Sequence, residues 1–241
     1  MRKFVGIDLA AEADRTGLAF ISESAGRCVV EPVDVGADDD VITRAFVDAE
    51  KIGIDVPLGW PELFIKLIAT HAVHTLAAPE TTDRKWRRSL TMRATDIAVH
   101  ERTGVWPLSV ATERIAYAAI LWAGIEANLR AKGWSVPRDG SAALVEVYPA
   151  AALRCWALQH RGYKGAKNAD ARSLLVDSLS MRFPKLEWNG HADHCIDDDN
   201  ALDAVLAALI AYEAFCGRCV PPPDDLSSVV GHEGWIWIPQ T

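Results

Sequence analysis

Two distant segments of the chain share one form, in which apolar β-forming residues surround a glycine and end in a single aspartate. They are residues 5–10, which contain Asp8, and residues 52–57, which contain Asp55. An isolated carboxylate among core residues costs more free energy than the hydrophobic burial of one strand returns, so each aspartate needs a partner such as a donor cluster or a metal ion. Two such aspartates predict a shared partner, and therefore a fold in which both strands end at the same place.

Two further acids stand in similar surroundings. Glu146 lies near the end of an apolar strand pattern over residues 143–149, and Asp203 lies in an acid-led apolar helix pattern over residues 199–210. Asp199 precedes Asp203 by four residues, so the two would share one face of that helix. These acids extend the predicted site from two carboxylates to four or five.

Composition favours one cytoplasmic domain. The chain has 241 residues, half of them hydrophobic, which is enough for a sizeable core, and we expect a single domain over 1–241 with a helical insertion at about 61–138. The start of the chain has no signal-peptide pattern, and the longest apolar run, 204–212, is shorter than the roughly 20 residues of a membrane span. The five scattered cysteines favour reduced thiols, so we expect a soluble, cytoplasmic protein without a membrane partner.

The charge pattern restricts how this chain could meet a polyanion. A net charge of −8 argues against binding nucleic acid through the overall field, so a nucleic acid or nucleotide would need a local basic patch or bound metal. The densest basic cluster is 84–88, which includes Trp86 and suits either phosphate contact with base stacking or an exposed charged loop. Arg93 and Asp96 are either a surface ion pair or part of the site. Lys164 and Lys167 are either phosphate ligands or solvated side chains.

Hydrophobic periodicity predicts an α/β fold. The predicted strands are 3–10, 16–22, 27–33, 51–56 and 142–148, and the predicted helices are 38–49, 62–76, 91–102, 112–131, 149–160, 169–181 and 200–216. The tail, 234–239, is either a last strand or an aromatic plug. Short turns predict an antiparallel meander for the first three strands, and the helix after them predicts that 51–56 lies parallel to the first strand. Asp8, Asp55 and Glu146 would then lie at the carboxyl edge of the sheet, where open α/β sheets bind ligands.

Five ordered segments give the chain a family resemblance. They are 6–8, 53–61, 93–96, 146–151 and 200–204. In these segments the chain resembles the DUF429 proteins, which are described as predicted nucleases of the ribonuclease H-like fold. The resemblance implies a mixed five-stranded ribonuclease H-like sheet flanked by helices and a metal-dependent nuclease active site. It also raises the expectation that Arg93 and Asp96 face that site as substrate-binding residues.

The acids suit two-metal hydrolysis of a phosphodiester. Two Mg²⁺ or Mn²⁺ ions roughly 4 Å apart activate a water and stabilise the leaving oxygen, and several converging carboxylates are needed to hold them. We predict that Asp8 bridges both ions, that Asp55 and Glu146 bind one each, and that Asp203 or Asp199 completes the second site. Glu146 suits equally a structural role, accepting hydrogen bonds from the start of the next helix.

Three alternatives stay open. The set of His191, His194 and Cys195 with the cysteine pair at 216 and 219 could bind structural zinc, although the spacing is not that of a standard finger. An actin-like or sugar-kinase phosphotransferase would need a glycine-rich phosphate turn, which does not follow Asp8. A non-catalytic binding or scaffold protein could retain the fold without metal dependence.

Overall fold

A computed structural model describes residues 1–47 and 49–241. In these residues seven strands form one mixed sheet in the order β6-β3-β2-β1-β4-β5-β7. The strands are β1 (Arg2–Asp8), β2 (Gly17–Ser24), β3 (Arg27–Val35), β4 (Lys51–Asp55), β5 (Leu144–Val147), β6 (Leu186–Glu187) and β7 (Ile236–Trp237). The helices are α1 (Asp39–Ala45), α2 (Glu62–Ala72), α3 (Arg84–Thr91), α4 (Ala94–Thr103), α5 (Glu113–Ala131), α6 (Pro149–Cys155), α7 (Ala169–Arg182), α8 (Ala192–Asp197), α9 (Asp199–Phe215) and α10 (Ser227–Glu233).

The predicted α/β class and central pairing are confirmed, but the predicted strand number is wrong. β1, β2 and β3 form the antiparallel meander, and β4 pairs parallel with both β1 and β5. The sheet has seven strands in the described residues rather than five, because β6 pairs parallel with β3 and β7 pairs parallel with β5. Each added strand has two residues, which is too short for an alternating pattern to be visible. The tail is therefore an edge strand.

The helices depart from prediction both between β4 and β5 and in the C-terminal part of the chain. The predicted helix 91–102 begins at Ala94, and the basic cluster forms a separate helix, α3, because the Asp83 carboxylate accepts a hydrogen bond from the Trp86 backbone N–H and caps it. The predicted helices 62–76 and 149–160 end at Ala72 and Cys155, and α8 and α10 were not predicted. The predicted helix 38–49 includes Asp48, which lies outside the described residues.

Two glycines let α9 lie directly against the sheet. Gly6 and Gly53 are register partners on β1 and β4. A Cβ on Gly6 would lie 1.9 Å from the Ala204 carbonyl oxygen, and one on Gly53 would lie 2.3 Å from that of Ala207. Because side chains two apart on a strand point to one face, Asp8 and Asp55 share the face that α9 covers. The glycine-x-aspartate spacing thus allows the close approach that brings α9 to the two aspartates.

The core lies on both faces of the sheet. Most of α9 is buried, and with α6 and α7 it forms one apolar cluster against the strands. On the opposite face, α1 and α5 contribute Ile42 and Trp122 to a second cluster with Val5 and Ile7. Within the described chain, none of the helices is long and apolar enough to cross a bilayer. All five cysteines are free thiols.

Candidate metal centre

Three of the predicted acids meet at one end of the sheet. Asp8 ends β1, Asp55 ends β4, and the two are register partners, while Asp203 projects from the second turn of α9. One carboxylate oxygen from each residue lies within 4.8 Å of those from the other two. In the part of the chain that the structure describes, this is the one group of three or more acidic, histidine or cysteine ligands with such spacing. The zinc alternative therefore gains no support.

The three carboxylates repel one another, and Asp203 is buried while Asp8 and Asp55 are half-buried. Burial, then the charges of Asp203 and Asp55, raise the pKa of Asp8 well above its ordinary value. Burial raises the pKa of Asp55 to about 7, with further upward contributions from Asp203 and Glu146 against the lowering effect of Lys164. Burial also raises the pKa of Asp203, which Lys164 and Tyr163 oppose. A cation that enters such a group lowers its electrostatic free energy.

One lysine and one tyrosine hold Asp203. The Tyr163 hydroxyl donates to Oδ1 at 2.8 Å, and the Lys164 Nζ lies 2.5 Å from Oδ2. The charge of Asp203, opposed by burial, raises the pKa of Lys164, so the lysine stays protonated. The fully buried guanidinium of Arg172 fixes this loop by donating to the carbonyls of Tyr163 and Gly165. A single lysine thus faces three carboxylates.

Among the acidic residues 197–199 at the start of α9, Asp198 caps the helix and Asp199 lies near the site. The Asp198 carboxylate accepts from the backbone N–H groups of Asn200 and Ala201, so it caps α9. Asp199 is half-buried at the first position of the helix, and its charge raises the pKa values of Asp8 and Asp203. Asp199 stands outside the three-carboxylate group, so its role as a metal ligand stays a prediction.

Glu146 lies beside the group in a different arrangement. Arg93 donates from Nη2 to Oε1 at 2.6 Å and from Nη1 to Oε2 at 2.8 Å, and the Leu58 backbone N–H donates to Oε2 at 3.0 Å. Both carboxylate oxygens therefore have donors, and these donors are Arg93 and Leu58 rather than the start of the next helix, from which the sequence suggested that they would come. The predicted metal-ligand role of Glu146 stays a prediction.

Arg93 and Asp96 belong to the same buried cluster. Arg93 Nη2 donates to Asp96 Oδ1 at 2.9 Å, and the Asp96 carboxylate also accepts from the backbone N–H of Arg93 at the start of α4. Burial lowers the pKa of Arg93, but Glu146 and Asp96 raise it more, so the guanidinium stays charged. The Glu233 carboxylate accepts from the backbone N–H groups of Glu62 and Ala94, which ties the starts of α2 and α4 together. Arg93 and Asp96 are 1% and 0% exposed, so their predicted substrate contacts also stay predictions.

A cavity of about 480 Å³ opens over the carboxylates. Asp8, Asp55 and Glu146 line it, together with Arg93, Tyr148 and Lys164. Two arginines that the sequence did not single out, Arg114 and Arg161, also line it, and so does Trp106. Lys167 is exposed and lies outside this lining. Sequence reasoning missed both arginines because neither stands in a basic cluster or a recognisable motif.

Comparison with known proteins gives one match, to a protein-family model. No match was found among curated proteins or among solved structures. A family model described as "Protein of unknown function (DUF429)" matches residues 6–227, which is most of the chain and includes Asp8, Asp55, Glu146, Asp199 and Asp203. The chain therefore belongs to the DUF429 family, as its sequence segments predicted.

Proposed function

We propose that this protein is a metal-dependent nuclease that hydrolyses phosphodiester bonds of DNA or RNA, built on a ribonuclease H-like fold. The observation that carries the proposal is the group of Asp8, Asp55 and Asp203, whose oxygens lie within 4.8 Å of one another with one lysine as counter-charge. The antiparallel meander with parallel β1, β4 and β5 supports the fold assignment.

The residues present fit a hard divalent cation. Mg²⁺ and Mn²⁺ take carboxylate oxygens and keep several waters, so three converging aspartates suffice for one ion. Burial and mutual repulsion raise the pKa values of Asp8 and Asp55, and a bound cation would offset both effects. Such an ion supplies an activated water and stabilises charge on the phosphate oxygens. For the predicted second ion, Asp199 is the carboxylate one helical turn before Asp203.

The chain itself orients and encloses the site. Tyr163 and Lys164 fix the Asp203 carboxylate, and the register of β1 with β4 fixes Asp8 against Asp55. Glu146, held by Arg93, positions the segment after β4 through the Leu58 backbone N–H. The cavity leaves room for a phosphate group above Asp8 and Asp55.

Cleavage of labelled DNA and RNA oligonucleotides with Mg²⁺ or Mn²⁺ tests the proposal. We expect metal-dependent hydrolysis by the wild type and a loss of at least about 100-fold in Asp8→Asn and Asp55→Asn, because even residues that only support a metal ligand cost 10–100-fold. Asp193→Asn is the matched control, since Asp193 is exposed on α8 and lies outside the carboxylate group. Wild-type rates in Asp8→Asn, or no hydrolysis by the wild type, would contradict the proposal.

A further inference from the structure

The cavity over the carboxylates has an unassigned cationic wall. Arg114, in the first turn of α5, and Arg161, after α6, both line the cavity and are exposed. In the described residues neither arginine forms an ion pair or donates a side-chain hydrogen bond to the protein. Free guanidinium groups in a cavity of an acidic protein suit phosphate, which arginine binds in a bidentate manner.

A third arginine lies at the edge of this wall. The Arg88 guanidinium lies 3.5 Å from the ring centre of Trp106, and the His100 ring stacks on the same indole at 3.6 Å. Arg88 and His100 therefore both pack on the indole of Trp106. Trp106 lines the cavity, and its indole holds Arg88 beside that cavity. The exposed side chains of Arg84, Lys85 and Arg87 continue the positive charge along α3.

The size of the cavity restricts what can reach the carboxylates. A cube of about 480 Å³ has edges of about 8 Å, whereas a double helix is wider than its own major groove of roughly 12 Å. A duplex therefore cannot enter, whereas an unpaired nucleotide can, as in enzymes that act on single strands or flipped bases. The volume also lies in the range of pockets that enclose small ligands.

We propose that the wall formed by Arg114, Arg161 and the clamped Arg88 binds the phosphate backbone of a single-stranded nucleic acid, and that this enzyme acts on single strands rather than duplexes. The inference rests on the proposed function, because it takes the carboxylates as the place where one phosphate of the strand lies. The arginines hold the flanking phosphates, and α3 extends the contact along the strand. Ser109 donates to the Thr91 carbonyl oxygen and so joins the end of α3 to the loop that carries Trp106.

Binding can be measured apart from cleavage. Fluorescence anisotropy is recorded with labelled single-stranded DNA of about 12 nucleotides, the same sequence as RNA, and a hairpin duplex, in Mg²⁺ and in EDTA. Gels confirm that the probes stay intact. We expect the single strand in Mg²⁺ to bind at least about tenfold more tightly than the duplex, because only the single strand reaches the arginines.

Variants test the wall itself. Arg114→Ala and Arg161→Ala should each weaken single-strand binding about fivefold, and the double variant should reduce the log–log salt slope by about 1.4, the value for two lost phosphate contacts. Arg161→Lys should keep the salt slope. Lys132→Ala is the matched control, because Lys132 follows the opposite end of α5, about 27 Å along the helix from Arg114. It removes the same charge and should change nothing.

The outcomes separate this inference from the proposed function. Three results would contradict single-strand binding by the arginine wall, even if Asp8-dependent hydrolysis is found. They are equal binding of duplex and single strand, no single-strand binding, and an unchanged affinity and salt slope in the double variant. Arginine-dependent binding of the single strand without any hydrolysis would support the wall and overturn the nuclease proposal.

Discussion

Two groups of buried and half-buried charges lie side by side at one edge of this sheet, and they are built in opposite ways. In the first, Glu146 and Asp96 face Arg93, and hydrogen bonds from guanidinium and backbone donors satisfy all of the carboxylate oxygens. In the second, Asp8, Asp55 and Asp203 face one another with Lys164 as counter-charge. The first group is complete without a ligand, whereas the second carries repulsion that burial increases.

The difference supports a structural role for the first group and is the basis on which we propose a functional role for the second. Buried charges persist when they are paired, and a paired group such as that of Arg93 joins distant elements, here β5, α4 and α10. Like charges brought together and left short of counter-charge suit a site that binds a cation. Acids near the ends of neighbouring strands therefore lie in two different electrostatic settings, one paired and one not.

Removing Arg93, the positive charge of the paired group, should have the largest effect on stability. Arg93→Ala leaves Glu146 and Asp96 buried without their partner, and we expect the free energy of unfolding to fall by about 3–5 kcal/mol. Urea denaturation measures it. The control is Arg27→Ala, which removes an ion pair to Glu187 in which the side chains are 64% and 44% exposed, and it should change the free energy of unfolding little. Equal costs for the two variants would show that the Arg93 group is not a structural centre.

The unpaired group should make stability depend on pH. The pKa of Asp55 is raised from its ordinary value to about 7, so between about pH 4 and 7 the folded protein keeps a proton that the unfolded chain has released. This contribution to stability is present at low pH and is lost as pH rises through 7. Asp55→Asn should therefore become more stable relative to wild type as pH rises from 4 to 8, by up to about 4 kcal/mol.

Thermal or urea unfolding across this pH range measures the difference between the two proteins. Saturating Mg²⁺ should remove most of it by stabilising the ionised wild-type site. Asp193→Asn serves as the control and should give a curve parallel to that of wild type. Parallel curves for wild type and Asp55→Asn would mean that the carboxylate group is not under strain.

A smaller effect is expected from the lysine that partly neutralises the group. Lys164 is 55% exposed and pairs with Asp203, so a metal ion must compete with it for that carboxylate. Lys164→Met should lower metal-free stability by about 1 kcal/mol and tighten Mn²⁺ binding several-fold. Lys167→Met, in the same loop but outside the cavity lining, should do neither. Weaker Mn²⁺ binding in Lys164→Met would contradict this competition.

The comparison also shows what one sequence could and could not predict. Asp8 and Asp55 were predicted to meet because parallel pairing places strand ends together, and Asp203 was added from its place in an acid-led apolar helix pattern. The partner of Glu146 was not found, because Arg93 is 53 residues away and the pair forms only through the packing of the segment between β4 and β5. The strand β6 was not predicted and the tail that contains β7 was left as either a strand or a plug, because two residues leave no periodic pattern.

Calorimetric titration of Mn²⁺ into chelator-stripped protein tests the central claim most directly. We predict that the wild type and Asp193→Asn bind the ion, and that Asp8→Asn and Asp203→Asn lose binding while remaining folded by circular dichroism. Repeating the titration with a short single-stranded oligonucleotide covers a site that a phosphate completes. No binding by the wild type under either condition, or wild-type affinity in both aspartate variants, would contradict the account.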